Sequence, residues 1–388
     1  MGGGIAGTAA AIALARKGFE VAVFEQAAVA ETAGAGIQIG PNAARALQAI
    51  GAYDAVVDLT TAPEALAIHN GETGALLSEI RFGQSFAARY GAPYRVGHRA
   101  DLLNALLQTA ASHRGISFRY ASRVIAQSAV GSDRRQLTLA DGTTHRVEAV
   151  IGADGIRSTV RAELLRDGPP APSGHRIYRA FLRRAAVPRG ITADRVSLHL
   201  LPNAHAVAYA VAGGSLINLV VVVAGQGDGH DWSAPAEQAE VIAALPRRAA
   251  VLNELLHAAT SWTRFTAADR PPAARWGEGT VTLAGDAAHP ALPFLAQGAA
   301  MALEDAAVLG GLAGSAPLAE SFRAYERQRL ERTARLTIAA RRQGSLYHQA
   351  GLTGRLRDLV LRLTPGSVVM RRLDWLYGWK PPADVNAI

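Results

Sequence analysis

The first seven residues constrain the fold most. Gly2-Gly3-Gly4-Ile5-Ala6-Gly7 is a GxGxxG run, followed by an apolar helical stretch over 7–17 and a strand pattern over 19–25 that ends on Glu25. Glycines at this spacing permit a tight turn, close approach of backbone to a pyrophosphate, and close packing of the following helix. The free N–H groups and dipole at the helix start attract phosphate. An acidic residue at the end of the next strand accepts hydrogen bonds from ribose hydroxyls. A glycine-rich turn alone is a weak signal. With the helix, the strand and Glu25 in order, it predicts a dinucleotide site. The strand that normally precedes such a motif is central and buried on both faces, and no residues for it precede Gly2. The natural chain is therefore expected to start upstream.

Further along, helical patterns over 41–51, 99–113 and 297–312 alternate with buried strand patterns over 147–153 and 280–284. This alternation argues for a mainly parallel α/β sheet. Between two Pro/Gly-rich loops, 167–174 (DGPPAPSG) and 269–279 (DRPPAARWGEG), the chain turns β-rich. Its strands read as 195–201, 205–211 and 215–223, with Ala212-Gly213-Gly214 as a hairpin turn. The expected fold class is α/β: a Rossmann-like cofactor domain, interrupted by a β-sheet substrate domain and ending in a helical segment. The cofactor domain would comprise 1–65, 98–170 and 270–388, and the substrate domain 66–97 and 171–269.

Composition removes several function classes. With no cysteine, there are no disulfides, thiolate metal sites or thiol nucleophiles. The histidines His175, His199, His230, His257 and His348 show no metal-ligand grouping and are read as ordinary residues. The net charge of +8 is concentrated between Arg323 and Arg372, where twelve arginines face three acids. With no recognition motif beside it, this stretch does not argue for nucleic acid. It reads as a helix with Phe322 and Tyr325 on an apolar side, a Glu331/Arg335 pair and a solvated arginine face, or as a funnel for anionic substrates. The tail Trp375-Leu376-Tyr377-Gly378-Trp379 reads as a docking cluster or part of a homodimer contact. No apolar run reaches the ~18 residues of a membrane span. Arg16 and Lys17 follow the apolar start instead of preceding it, which argues against a secretory leader. A cytoplasmic address is expected.

Two further runs carry chemistry. A buried strand delivers Asp154-Gly155 into a turn within 151–161 (IGADGIRSTVR), and a second strand ends in Gly285-Asp286-Ala287-Ala288-His289-Pro290. The latter leads through Pro293 into Gln297-Gly298-Ala299, where a helix begins. Asp286 thus stands at the carboxyl end of a strand, where open α/β sheets bind ligands. Taken with GxGxxG, and with 34–42 (GAGIQIGPN) and 98–102 (HRADL), these runs resemble the FAD-dependent aromatic hydroxylases, the group A flavoprotein monooxygenases. The branch most similar is that of the salicylate, 3-hydroxybenzoate and 6-hydroxynicotinate hydroxylases, and the likeness covers nearly the whole chain.

The resemblance implies FAD as cofactor, NADH or NADPH as electron donor, and O2 and a small phenolic acid as substrates, the ring being hydroxylated through a C4a-hydroperoxyflavin. Gly2, Gly4 and Gly7 would hold the pyrophosphate and Glu25 the adenosine ribose. Val124 would lie near the adenine, and Arg99 would contact the phosphate or ribityl region. Asp286 would bind the ribityl chain, with Pro293, Gln297, Gly298 and Ala299 beside the flavin ring. Asp154 would serve FAD and NAD(P)H binding, or simply form a turn.

The segment His205-Ala206-Val207-Ala208-Tyr209, followed by Gly213-Gly214 and Asn218, resembles the branch's HxxxY…GG…N pattern. Residues four apart on a strand share a face, so His205 and Tyr209 would both face the flavin. A near-neutral imidazole is suited to take the phenol's proton. The branch often has Tyr-Pro and an Arg before Gly-Gly, where this chain has Tyr209-Ala210 and Ala212. Gln38 replaces the histidine of the hydroxynicotinate enzymes, which favours a hydroxybenzoate-like substrate. Hydroxylation of a larger aromatic natural product, and a flavin-binding protein inactivated by loss of the first strand, stay open. A flavin-free NAD-dependent dehydrogenase is a third, weaker reading.

Overall fold

The computed structural model describes residues 1–30, 35–131, 134–225 and 233–382; Gly34 and His230, both read from the sequence above, lie outside them. The glycine run turns directly into the helix Ile5–Ala15, which has no side-chain N-cap. A Cβ on Gly7 would collide with the Gly2 carbonyl, so this turn admits no other residue. The helix is buried along most of its length and packs against the helices Gly298–Leu312 and Arg99–Ala111. Beside it stand two parallel strand pairs, Val21–Phe24 with Ile116–Arg119 and Val150–Gly152 with Val281–Leu283. Met1 and Gly2 bridge them: Gly2 N–H donates to Phe24 O, and the Met1 carbonyl accepts from Ala153 N–H, both at 2.8 Å.

The second layer is an eight-stranded sheet in the order Ser233–Ala236, Trp262–Asp269, Ala171–Arg183, Leu216–Ala224, Ala204–Val211, Arg195–Leu201, Ala65–Asn70 and Leu76–Arg81. All its pairings are antiparallel except Arg195–Leu201 with Ala65–Asn70. The period-two alternation of a strand divides its residues between two faces. Ala206, Ala208, Ala210, Tyr178, Ala180, Leu219 and Val221 go outward, to a core closed by the helices Gln238–Ala244 and Ala250–Ala258. Their neighbours His205, Val207, Tyr209, Ile177, Arg179, Val220 and Val222 go the other way, toward the glycine-run helix.

One sequence expectation needs correction and another is met. The arginine stretch is not simply a solvated face: Arg329 is fully buried on the helix Leu318–Tyr347. Its guanidinium donates to Glu304 and, at 2.7 Å, to Asp305, while Arg332 also clasps Glu304. The Trp375–Trp379 tail docks on its own chain. Arg332 donates to the Trp375 and Leu376 carbonyls, Arg45 donates to the Tyr377 carbonyl, and Arg335 stacks on Trp375 at 4.3 Å. Tyr377 is buried among Phe86, Tyr90 and Tyr94. No helix among the described residues is long and apolar enough to cross a membrane.

Candidate active site

Between the two layers lies a cavity of about 430 Å³, and most of the residues expected at the site meet there. Gly4, Arg99, Asp286, Pro293, Gln297, Gly298 and Ala299 line one side, while His205, Tyr209 and Gln38 line the other. The cavity thus runs from the glycine turn to the inward face of the large sheet. Others fall outside its lining. Glu25 is just behind the glycine turn: its two carboxylate oxygens accept from Gly3 N–H at 2.7 Å and Ala27 N–H at 2.8 Å. Val124 is buried in the core at the start of the strand Val124–Val130. Asp154 accepts from Ser158 Oγ at 2.5 Å and from Thr159 N–H at 2.8 Å, tying down the start of the next helix as a turn residue does.

The lining fits an FAD molecule by its own chemistry. The backbone at Gly4, Gly155 and Gly298 faces open space, with nothing within 4 Å of where a Cβ would stand. Gln297 is buried; its Oε1 accepts from Asn42 Nδ2 at 2.9 Å, yet its Nε2 has no partner among the described residues. A buried amide N–H left unpaired costs ~1–3 kcal/mol, so this donor is positioned for a ligand acceptor. The Gly298–Leu312 helix starts at the same point and adds the positive end of its dipole.

The inward face of the sheet supplies the reactive side chains. His205 and Tyr209 stand opposite Val222 and Asn218 on the next strand. Asn218 is fully buried, and its Oδ1 accepts from Gly36 N–H at 3.0 Å. Burial raises the Tyr209 hydroxyl above its usual range, partly offset by the charge of Arg179 and a hydrogen bond with Gln38, so it stays protonated. Burial pulls His205 well below its usual range, reinforced by His348 and His175, so the imidazole is neutral near pH 7.

Three contributors were missed from the sequence. Arg179 faces the cavity from the strand Ala171–Arg183 and lies over the Phe265 ring at 4.7 Å, and no carboxylate among the described residues pairs with it. Burial first, then Arg99, lowers its pKa, but a guanidinium remains charged. A charge at an inward position was the available signal, but the strand was not recognised. His348, read as ordinary, contacts His205. Asn42 carries the Gln297 contact on to Glu304, donating at 2.7 Å.

Residues 1–339 match the family described as FAD binding domain. The chain is 35% identical to a 3-hydroxybenzoate 6-hydroxylase of Klebsiella oxytoca, over 98% of this chain and 96% of that one. It is 37% identical to the 3-amino-4-hydroxybenzoate 2-monooxygenase PtmB3 of Streptomyces platensis, over 98% and 95% respectively. Among solved structures, a salicylate hydroxylase substrate complex superposes with a TM-score of 0.82 at 23% identity, covering 99% of this chain and 95% of that one.

Proposed function

The chain belongs to the FAD-binding-domain family, and from that membership we propose that it is an FAD-dependent monooxygenase hydroxylating a small hydroxybenzoate-like phenolic acid with NAD(P)H and O2. Bound FAD, once reduced, supplies the activation of oxygen. Gly2, Gly4 and Gly7 would hold its pyrophosphate, Asp286 and Arg99 its ribityl and phosphate region, and Gln297 to Ala299 with Pro293 its ring. Residues 66–97 and 171–269 form the substrate domain in this reading, the remainder the cofactor domain.

The observation that carries the proposal is the chemistry of one wall of the cavity. A neutral buried imidazole, His205, shares it with a protonated phenol, Tyr209, and a cation, Arg179, with which no carboxylate among the described residues pairs. His205 would take the proton of a substrate hydroxyl, which makes the ring electron-rich. Arg179 supplies a charge for the substrate carboxylate. Apolar neighbours Ile177, Val207, Val220 and Val222 exclude water and pack the ring.

The test is NADH and NADPH oxidation by the yellow, flavin-loaded protein over a panel of hydroxybenzoates and hydroxypyridines, with product identification. Ring-hydroxylated product from a hydroxybenzoate is expected. Nicotinamide oxidation without hydroxylated product across the panel overturns the assignment.

A further inference from the structure

The imidazole on the cavity wall has a buried partner. His205 Nδ1 and His348 Nε2 are 2.8 Å apart, a separation at which one ring donates and the other accepts. Among the described residues His205 Nε2 has no hydrogen-bond partner, and the residue lines the cavity. His348 ends the helix Leu318–Tyr347, and its backbone is pinned on both sides. Its N–H donates to Gly344 O, and its carbonyl accepts from Asn203 N–H, each at 3.1 Å. Asn203 belongs to the turn that leads into the strand of His205, so the backbone that carries position 348 stays docked beside that strand when its side chain is changed.

We propose that His348 is the positioning residue for His205, fixing the tautomer that turns a bare Nε2 to the cavity and sharing the proton that nitrogen receives. The inference rests on the phenolic-acid reading of the cavity. When the phenol ionises, its O–H bond breaks, the electron pair stays on oxygen and an Nε2–H bond forms on His205. The Nδ1–H bond of His205 then breaks as an Nε2–H bond forms on His348, leaving the charge on the buried ring away from the substrate. The proton returns by the same two steps when the hydroxylated ring regains its phenol hydrogen. No oxidant or metal takes part in the relay.

The surroundings keep the resting pair free of an extra proton. Phe294 and Tyr347 close over His205 with ring centroids at 5.6 and 5.2 Å. His175, from the strand Ala171–Arg183, lies 5.1 Å from His348. Arg357, on the helix Gly351–Leu363, is the cation that faces His348. Burial first, then His175 and Arg357, pulls His348 down to about 4. The pair is therefore neutral and vacant near pH 7.

The experiment uses FAD-loaded H348A, H348Q, H205A and H205A/H348A, with a nitro-substituted hydroxybenzoate whose bound phenolate is seen by its visible absorbance. Titration of the bound probe should show ionisation displaced upward by about one pH unit in H348A, a tenfold change, with kcat at neutral pH down ~10- to 100-fold. Flavin absorbance and the rate of flavin reduction should stay as in the wild type. H348Q, whose amide oxygen can accept the Nδ1 hydrogen but cannot take it up, should recover only part of the loss. The double variant should shift no further than H205A alone. Unchanged probe ionisation in H348A, a shift that adds to that of H205A, or a wild type that does not ionise the bound probe below its free-solution pKa each overturns the proposal. Product formation on the hydroxybenzoate panel judges the functional reading separately.

Discussion

His289 Nε2 donates to Asp305 Oδ2 at 2.5 Å inside the protein, and both side chains are buried. The same carboxylate accepts from Gly285 N–H at 2.9 Å and from Arg329 Nε at 2.7 Å. It therefore fixes both ends of the turn that presents Asp286 to the cavity. Burial alone would raise the Asp305 carboxyl, but His289, Arg329 and the Gly285 N–H outweigh it and hold it below the usual carboxylate range. A depressed carboxylate contributes stability above its unfolded pKa and loses it as the pH falls through the folded value. Asp305→Asn leaves Arg329 without half its countercharge, and breaking such a buried pair costs ~3–5 kcal/mol. Urea unfolding should show this loss at pH 7 and a shallower decline toward acid, with less FAD retained after gel filtration. An unchanged urea midpoint would show that the pair carries no such load.

The parts legible in the sequence were those with a local signature. The glycine turn, the strand that leads into Asp286 and the strand bearing His205 and Tyr209 each combine a period with a turn signal, and each forms close to its expected bounds. What escaped depends on pairings distant in sequence. Arg329 reads as one more surface arginine until Glu304 and Asp305 are brought against it. His348 is separated from His205 by 143 positions, and only the docking of a helix end on a hairpin turn joins them. Arg179 sits in a strand that begins with Ala171-Pro172 and carries arginines, so neither composition nor alternation declared which face was inward.

Arg179 is expected to set the preference for an acid. Arg179→Gln removes the charge and keeps a donor, so a carboxylate substrate loses a charge-assisted contact of ~1.5–3 kcal/mol. The KM for a hydroxybenzoate should rise roughly 10- to 100-fold, while the corresponding phenol without a carboxyl should bind as in the wild type. Equal losses for acid and phenol would mean that Arg179 shapes the pocket without reading the carboxylate.

Gly36 is held where only a hydrogen fits. A Cβ there would lie 2.5 Å from the Tyr209 hydroxyl and run into the Asn218 side chain, whose amide oxygen already accepts from Gly36 N–H. Gly36→Ala must displace one or both, at a cost of ~1–3 kcal/mol for overpacking. Because Tyr209 and Gln38 line the cavity, substrate binding should weaken markedly while flavin content is kept. Wild-type KM values in this variant would show that Tyr209 does not need its present place.

Acid should unfold the protein through histidines as well as carboxylates. Burial, followed by His69, lowers His199 to about 4, and both of its ring nitrogens are buried without partners among the described residues. His205 and His348 are depressed as well. A depressed histidine is neutral in the fold and charged in the unfolded chain below about pH 6.5. Its stability contribution is thus intact above that pH and declines as the pH falls toward the folded value. Each such group adds up to ~1.4 kcal/mol per pH unit to the slope, so Tm should drop steeply between pH 6.5 and 4. His199→Leu takes one of these protons out of the balance and removes two unpaired nitrogens from the interior. Its Tm should match or exceed the wild type at pH 7 and fall less at pH 4.5. A parallel decline in the two proteins would mean that His199 takes up its proton without unfolding.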